Sequence, residues 1–387
     1  MDNTCYIAAA GAGKTTHLIN LSQKAIEEDS QNLIIIITLT TRNQENISER
    51  IAKLPYAIRK RIKVSGWYEF LLKYIIRPYK GDVIPELYER NVGMLWSQAN
   101  QNIKKGKYHI NRYVASDIRN KYLHKDKIYK NYISEFAYEC IRKNPNNSIE
   151  RLSKIFTHIF IDESQDLAGY DYDLIKLFSK APINLILVGD PRQHTYSSSD
   201  LKQHKKYKGK IEEFIKNEIN TKRRSYILLD DTTLNVSHRC SSEICTTASI
   251  LFPDMAATIP CTCKKCEEDK LLYLNGAHGV FWVKPNDIVS FVHKYNPIAL
   301  TFDKTVVISP SIKERLNMGE SKGLGFRSCL IYPAKPMLEF FKKRTPMTEI
   351  TRSKLYVALT RATNIVGIVV PEKFNSDIES VKVWKED

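Results

Sequence analysis

Short apolar runs recur along the chain, each followed by a longer stretch whose apolar positions fall at helical spacing, the pattern of strands laid into a parallel sheet and joined by crossover helices. The clearest strand signals are "NLIIIITL" at 32–39, "HIFID" at 158–162 and "NLILVGD" at 184–190, then "GVFWV" at 279–283, "TVVISP" at 305–310, "SCLIYP" at 328–333 and "IVGIVV" at 365–370. They fall into two groups, which predicts two α/β domains. Within the first group, residues 80 to 150 carry no comparable run and are rich in Lys, Arg and Tyr at helical spacing; that segment reads as a helical, basic insertion. A second basic stretch at 202–224 has nine Lys or Arg against three Glu and predicts a surface helix with loose flanks.

Composition narrows the class. The 387 residues can bury more than one core, and 59 Lys plus Arg against 43 Asp plus Glu leave a net charge of +16, a field that draws polyanions such as nucleic acid. The apolar run "LIIII" at 33–37 is too short to span a bilayer, and no charged-then-apolar leader precedes it, so a soluble cytoplasmic protein without a membrane role is expected. Eight scattered cysteines fit reduced thiols better than a disulfide framework.

The chemistry gathers at strand ends. "AAAGAGKTTHL" at 8–18 follows an apolar strand and puts small residues where backbone N–H groups can wrap a phosphate at a helix N-terminus. Ala10, Gly11, Ala12 and Gly13 would form the cradle, Lys14 would reach the β- and γ-phosphates, and Thr15 with Thr16 would open the helix, the Thr15 hydroxyl facing Mg²⁺. Ala8 stands where the motif usually has glycine, and a small-residue turn in an ordinary α/β unit is the alternative. "HIFIDESQDL" at 158–167 delivers two adjacent carboxylates to a sheet edge: Asp162 would hold the metal and Glu163 would deprotonate an attacking water, although acidic pairs after strands also serve as helix N-caps. "LVGDPRQHTY" at 187–196 ends a further strand and places Gln193 where an amide can sense the γ-phosphate.

These motifs, in this order, resemble superfamily 1 helicases of the UvrD/Rep type, and further segments extend the likeness. "TLTTRNQENISERI" at 38–51 and "VSGWYEF" at 64–70 resemble contacts to single-stranded DNA; "LNVSHRCSSEI" at 234–244, "GESKGLGFRSCLIYP" at 319–333 and "KLYVALTRAT" at 354–363 resemble the motifs of the second motor domain. The resemblance implies two tandem RecA-like domains: 1–79 with 151–233 as the first, 80–150 as its insertion, and 234–387 as the second. It implies an ATP- and Mg²⁺-dependent motor on single-stranded DNA, moving 3′ to 5′, with Arg239 and Arg361 on the γ-phosphate. Thr40, Arg42, Trp67, Tyr196 and Lys322 are implied on the strand path, with Trp67 and Tyr196 equally suited to packing. His238 stands where such proteins carry a tyrosine that stacks on the base. An RNA strand would suit the same motifs, and so would an ATP-gated switch that controls an associated nuclease or other effector.

Several positions depart from the pattern. Seven residues precede Ala8, leaving no counterpart to the upstream segment that reads adenine, so weak discrimination between ATP and GTP is expected. Gly319 and Gly325 replace a histidine and a glutamate, and the stretch between Arg239 and Lys322 is short, as in a minimal motor. "CTCKKC" at 261–266 is read as a reduced, exposed loop; a zinc site there would need a fourth ligand from Cys240, Cys245 or His278.

Overall fold

The structure is a computed structural model describing residues 2–96 and 118–386. It is α/β with two mainly parallel six-stranded sheets of the RecA-like kind, and the chain divides into two compact units. The first unit takes Met1–Cys5, Thr15–Gly189 and Ser197–Leu229; the second takes Tyr6–Lys14, Asp190–Tyr196 and Asp230–Asp387. The chain therefore passes from one unit to the other inside the glycine-bearing loop, between Lys14 and Thr15.

In the first sheet, β1 is Thr4–Ile7, β2 Ile34–Thr38 and β3 Ile62–Gly66. Three short strands follow, β4 (Gly93–Leu95), β5 (Leu123–His124) and β6 (Lys127–Tyr129), before β7 (His158–Asp162), β8 (Asn184–Gly189) and β9 (Leu228–Asp230). The order is β3-β2-β7-β8-β1-β9, and β2 pairs in parallel with β3 and β7, as β7 does with β8. Every residue of β2 and β7 is buried, as a sheet covered on both faces requires, which explains runs of Ile with no alternation. The helix Lys14–Glu28 covers part of the sheet through Leu18, Ile19, Ser22, Ala25 and Ile26, a stripe at the 3.6-residue period.

The segment expected to be a helical insertion is only partly helical. β5 and β6 form an antiparallel hairpin whose turn has Lys125 in the left-handed region (φ 55°), and β4 adds in parallel to β6. Residues 97–117, the middle of that basic segment, lie outside the described residues. Within the second basic stretch, the helical run Ile211–Phe214 and Ile215–Ile219 buries Ile211, Phe214, Ile215 and Ile219, so one face packs against the unit.

β10 (Val236–Ser237) and β11 (Ile259–Pro260) form a two-residue parallel pair. The second large sheet comprises β12 (Gly279–Val283), β13 (Ile298–Thr301), β14 (Arg315–Asn317), β15 (Phe326–Tyr332), β16 (Ala362–Val369) and β17 (Val381–Val383). Its order is β14-β13-β15-β16-β12-β17, parallel throughout. Alternate residues feed two cores. Trp282, Leu300, Ile331 and Val366 meet Ile244, Phe341 and Tyr356 on one face; Val283, Ala299, Leu330 and Ile365 meet Phe291 and Trp384 on the other.

"TVVISP", expected to be a strand, is not one. Val307 is 89% exposed, and Asp303 accepts hydrogen bonds from the backbone N–H (2.9 Å) and hydroxyl of Thr305, a local turn that competes with strand pairing. "IALT", a few residues earlier, occupies the sheet as β13, fully buried.

One buried group makes the first unit sensitive to acid. His158 opens β7 at 4% exposure, with Nδ1 2.8 Å from the Thr157 hydroxyl and Nε2 3.2 Å from the Asn184 amide. Thr157 Oγ1 donates to the Leu33 carbonyl, which leaves it to accept from Nδ1–H and makes Nε2 the acceptor of a neutral ring. Burial pushes the imidazole pKa down to about 4. Its contribution is complete above about pH 6.5, where the unfolded ring is also neutral, and falls away as pH drops toward 4, because only the unfolded ring takes up a proton in that window. The stability difference between wild type and His158→Gln should shrink between pH 7 and pH 5, by at most about 1.4 kcal/mol per pH unit. Denaturant titrations of both proteins at the two values measure it, and a constant difference would contradict a neutral ring.

Candidate functional site

The residues that carry the expected chemistry lie at the carboxyl end of β1, β7 and β8 and around the buried Arg361. In the first unit, the helix beginning at Lys14 places the Thr15 hydroxyl 3.2 Å from Asp162 Oδ2, to which it donates. Asp162 is the last residue of β7 and is 2% exposed; its other oxygen accepts the backbone N–H of Glu163 at 2.9 Å. Glu163 has left-handed backbone (φ 56°, ψ 39°), a costly conformation for a residue with a side chain, and Gln165 Nε2 donates to its carboxylate. The strained turn points the chain sharply away from the strand so that two neighbouring carboxylates serve different partners. Thr16 is exposed and accepts from Arg50 Nη1 at 3.0 Å.

Thr15 and Asp162 also pass a test for a divalent ion. Adjacent ligands around an octahedral Mg²⁺ with bonds of about 2.1 Å stand about 3 Å apart, and the hydroxyl and carboxylate oxygens are already at that spacing. The donor set is all oxygen, as a hard cation prefers.

The loop itself belongs to the second unit. Gly11 and Gly13 have φ of 76° and 78°, where a side chain would be strained, whereas Ala8, Ala9 and Ala10 are buried outside that region. Ala8 therefore serves where glycine was expected: its backbone needs no glycine, and its carbonyl accepts Arg192 Nη2 at 2.9 Å. A Cβ on Gly11 would come within 2.7 Å of both Arg239 Cβ and Ser237 Oγ, and the Gly11 carbonyl accepts the His238 N–H at 3.0 Å. Arg239 and His238 are thus packed against the loop. Ala12 is 5% exposed, and Lys14 half-buried.

A buried polar network orders the arginines. Asp190 accepts from Arg192 Nε and Gln193 Nε2, each at 2.8 Å. Gln193 Oε1 accepts Arg361 Nη2 at 3.1 Å, which fixes the amide with its oxygen toward the arginine. Arg361, 1% exposed, also donates from Nε to the Val357 carbonyl (3.1 Å) and from Nη1 to the Leu324 carbonyl (3.2 Å). Arg239 Nη1 donates to the carbonyl of Thr360, the residue before Arg361, at 3.2 Å. Burial works against the charge of Arg192, but Asp190 and the ring of Tyr356 keep it firmly protonated, with its pKa raised. Sequence reasoning missed Arg192 and Tyr356. Their signal was an arginine three residues beyond a mainly apolar strand, and a tyrosine in a helix whose hydroxyl meets the Ala10 N–H at 3.4 Å.

The expected strand-path residues are not brought together in one way. Thr40 caps the helix Thr41–Ala52 by accepting the Asn43 N–H at 3.2 Å; it and Arg42 are exposed, Tyr196 is 44% exposed and Lys322 half-buried. Trp67 is a core residue instead. It is 1% exposed, and its indole N–H donates to the buried Asp171 at 2.8 Å, so the ring offers no face on which a base could stack. Tyr68 beside it donates to the Ser198 carbonyl at 2.7 Å, and Ser198 in turn bonds Asp171, so this aromatic pair braces the loop after Tyr196 from within.

Comparison with known proteins adds the following. The family described as AAA_19, an AAA domain, matches residues 1–199. Over 144 residues the chain is 27% identical to "RecBCD enzyme subunit RecB" of Borreliella burgdorferi, a match covering 37% of this chain and 11% of that protein. Over 298 residues it is 24% identical to "Probable DNA helicase II homolog" of Mycoplasma genitalium, covering 64% of this chain and 40% of that protein. A solved complex of arterivirus nonstructural protein 10, a helicase, with DNA aligns with a TM-score of 0.43 and 13% identity, over 96% of this chain and 61% of that one. The matches thus span 11% and 40% of the two curated relatives and 61% of the solved chain.

Proposed function

From the premise that the chain belongs to the AAA_19 family of AAA domains, we propose that it hydrolyses ATP to translocate on or unwind DNA, as a compact superfamily 1 motor of the UvrD/Rep type moving 3′ to 5′ on a single strand. The observation that carries the reading is the 3.2 Å contact of Thr15 with Asp162 at a parallel sheet edge, with Glu163 next in the chain. Open α/β sheets bind ligands at that edge. The relatives named for RecB and for a DNA helicase II homolog support a DNA substrate, and the net charge of +16 suits a phosphate backbone.

In this reading Lys14 and the N–H groups of Ala10 to Thr15 hold the β- and γ-phosphates, while Thr15 and Asp162 hold Mg²⁺. Mg²⁺, when bound, neutralises charge on the phosphate oxygens during transfer. Glu163 takes the proton of the attacking water. Gln193, oriented by Asp190, senses the γ-phosphate or that water, and Arg239 and Arg361 stabilise the charge that develops as the bond to the leaving phosphate breaks. Thr40, Arg42, Tyr196 and Lys322 contact the strand. No helix of the described residues is long and apolar enough to cross a membrane, and a cytoplasmic setting is part of the proposed reading.

The likeness to a subunit of the RecBCD enzyme favours one second reading, an ATP-gated switch that controls an associated nuclease or other effector. ATP hydrolysis should rise several-fold with single-stranded DNA, less with duplex DNA or RNA, and ATP should drive displacement of a protein block from a single-stranded track. Stimulation by RNA above that by DNA would reassign the substrate. Stimulated hydrolysis with no displacement at any salt concentration would favour the switch, and the absence of any hydrolysis would end both readings.

A further inference from the structure

The thiols of "CTCKKC" find their fourth partner in a residue that the sequence points to another task. His238, Cys261, Cys263 and Cys266 converge so that one ligand atom of each lies within 4.8 Å of all the others. Cys240, Cys245 and His278, the partners expected from proximity in sequence, are engaged elsewhere: Cys240 Sγ faces the Thr360 carbonyl, Cys245 Sγ faces the Cys240 carbonyl, and His278 Nε2 lies 3.4 Å from Glu243. We propose that His238, Cys261, Cys263 and Cys266 form a structural Zn²⁺ site that fastens the segment bearing Arg239.

The donor chemistry selects the metal class. Three thiols and an imidazole, with no carboxylate, suit a borderline-soft ion in tetrahedral geometry and not Mg²⁺ or Ca²⁺. With Zn–S bonds of about 2.3 Å and a Zn–N bond of about 2.0 Å, tetrahedral angles put ligand atoms about 3.5 to 3.8 Å apart. Cys266 Sγ stands 3.6 Å from His238 Nδ1. The Cys263 N–H also points at Cys261 Sγ, 3.5 Å away, the kind of backbone support that stabilises a thiolate.

The local fold needs such a fastening. The ligands come from the residue after β10, the residue after β11 and the first turn of the helix Lys264–Leu271. β10 and β11 pair over only two residues, and the eight-residue helix buries none of its side chains. A helix this short is marginal without tertiary packing, and its links to the rest of the unit include polar ones, among them Arg327 to Asp269 at 2.9 Å and the Asn364 amide to the Lys270 carbonyl at 3.0 Å. A metal joining three segments supplies a cross-link that no apolar face provides. It also gives the ring of His238 a ligand role in place of base stacking, and it holds the chain one residue before Arg239.

The test reads metal, not hydrolysis, so it stands apart from the proposed motor function. Chain purified from cells without chelator should contain about one zinc per molecule by elemental analysis, and a mercurial titration of the thiols should release it. Chain loaded with Co²⁺ should show the intense visible absorption of a tetrahedral thiolate site. Cys263→Ser and Cys266→Ser should lower bound zinc at least about tenfold, while His278→Ala keeps it. Chelation of the wild type should speed amide exchange within residues 236–271 while the cores of both sheets stay protected. Wild-type protein that binds neither Zn²⁺ nor Co²⁺ when supplied in excess, or in which two of the thiols at 261, 263 and 266 are joined in a disulfide as isolated under reducing conditions, would overturn the proposal without recourse to any variant.

Discussion

Arg361→Ala should lower the rate of ATP hydrolysis by at least about 10²-fold, equivalent to some 3 kcal/mol of lost transition-state stabilisation, and by more if the guanidinium acts fully on the γ-phosphate. Two effects combine in that number, and the geometry separates them. The guanidinium is wholly buried and satisfies the Val357 and Leu324 carbonyls and Gln193 Oε1. Truncation takes a donor from each of these acceptors; the Val357 carbonyl keeps the Thr360 hydroxyl at 3.3 Å, and each acceptor left unpaired where water cannot reach it costs about 1–3 kcal/mol of stability. It also releases Gln193 from one of the two bonds that set its amide. Arg361→Lys keeps a charge but cannot span three acceptors from one planar head. The lysine variant should therefore recover part of the thermal stability and little of the rate. Steady-state hydrolysis and thermal unfolding of the two variants decide the matter: a fall in stability with an unchanged kcat would make Arg361 a packing residue and remove it from the chemistry.

How far the sequence alone carried the reading depends on whether the signal was local. Strands buried on both faces announce themselves, and β2, β7 and β8 were legible because nothing but a covered parallel sheet tolerates "IIIIT" or "LILVG". The turn at Gly11 and Gly13 was legible because glycine at fixed offsets after a strand states a backbone geometry, and the acid pair because it ends such a strand. What failed depended on a turn that competes with the strand or on distant partners. "TVVISP" has the composition of a strand, but Asp303 turns the chain first, and "IALT" wins the place beside β15. Trp67 lies in a segment that resembles a nucleic-acid contact, yet Asp171, more than a hundred residues later, draws its indole N–H into the core. The missing glycine at Ala8 looked like a defect until Arg192 was seen to need only that residue's carbonyl. His238 is the strongest case. No spacing rule links it to three cysteines beyond β11, and only the two-residue pairing of β10 with β11 brings them together.

Glu163→Gln should abolish hydrolysis while leaving the nucleotide bound, and the structure makes that separation sharper than the motif does. The substitution preserves shape and keeps an oxygen to accept from Gln165 Nε2, so the strained left-handed turn at Glu163 keeps its support. It leaves the Thr15–Asp162 pair untouched, and with it the residues proposed to hold the metal. What is lost is the carboxylate's capacity to take a proton, worth about 10²–10⁴ in rate for a positioned general base. ATP affinity by equilibrium binding should stay within about threefold of wild type, well under 1 kcal/mol. Asp162→Asn should behave in the opposite sense, weakening binding in the presence of Mg²⁺ far more than in its absence, because an amide is a poorer partner for a hard cation. If Glu163→Gln instead loses nucleotide, the residue has a structural or binding duty and the water must be activated elsewhere. If it still turns over at the wild-type rate, the acid pair is a helix cap and the hydrolase reading fails. A variant that binds ATP and DNA yet cannot turn over also separates the two functional readings. A motor held in that state displaces nothing, whereas a switch held there stays in the conformation that ATP selects and keeps its effector in the corresponding state without any further turnover.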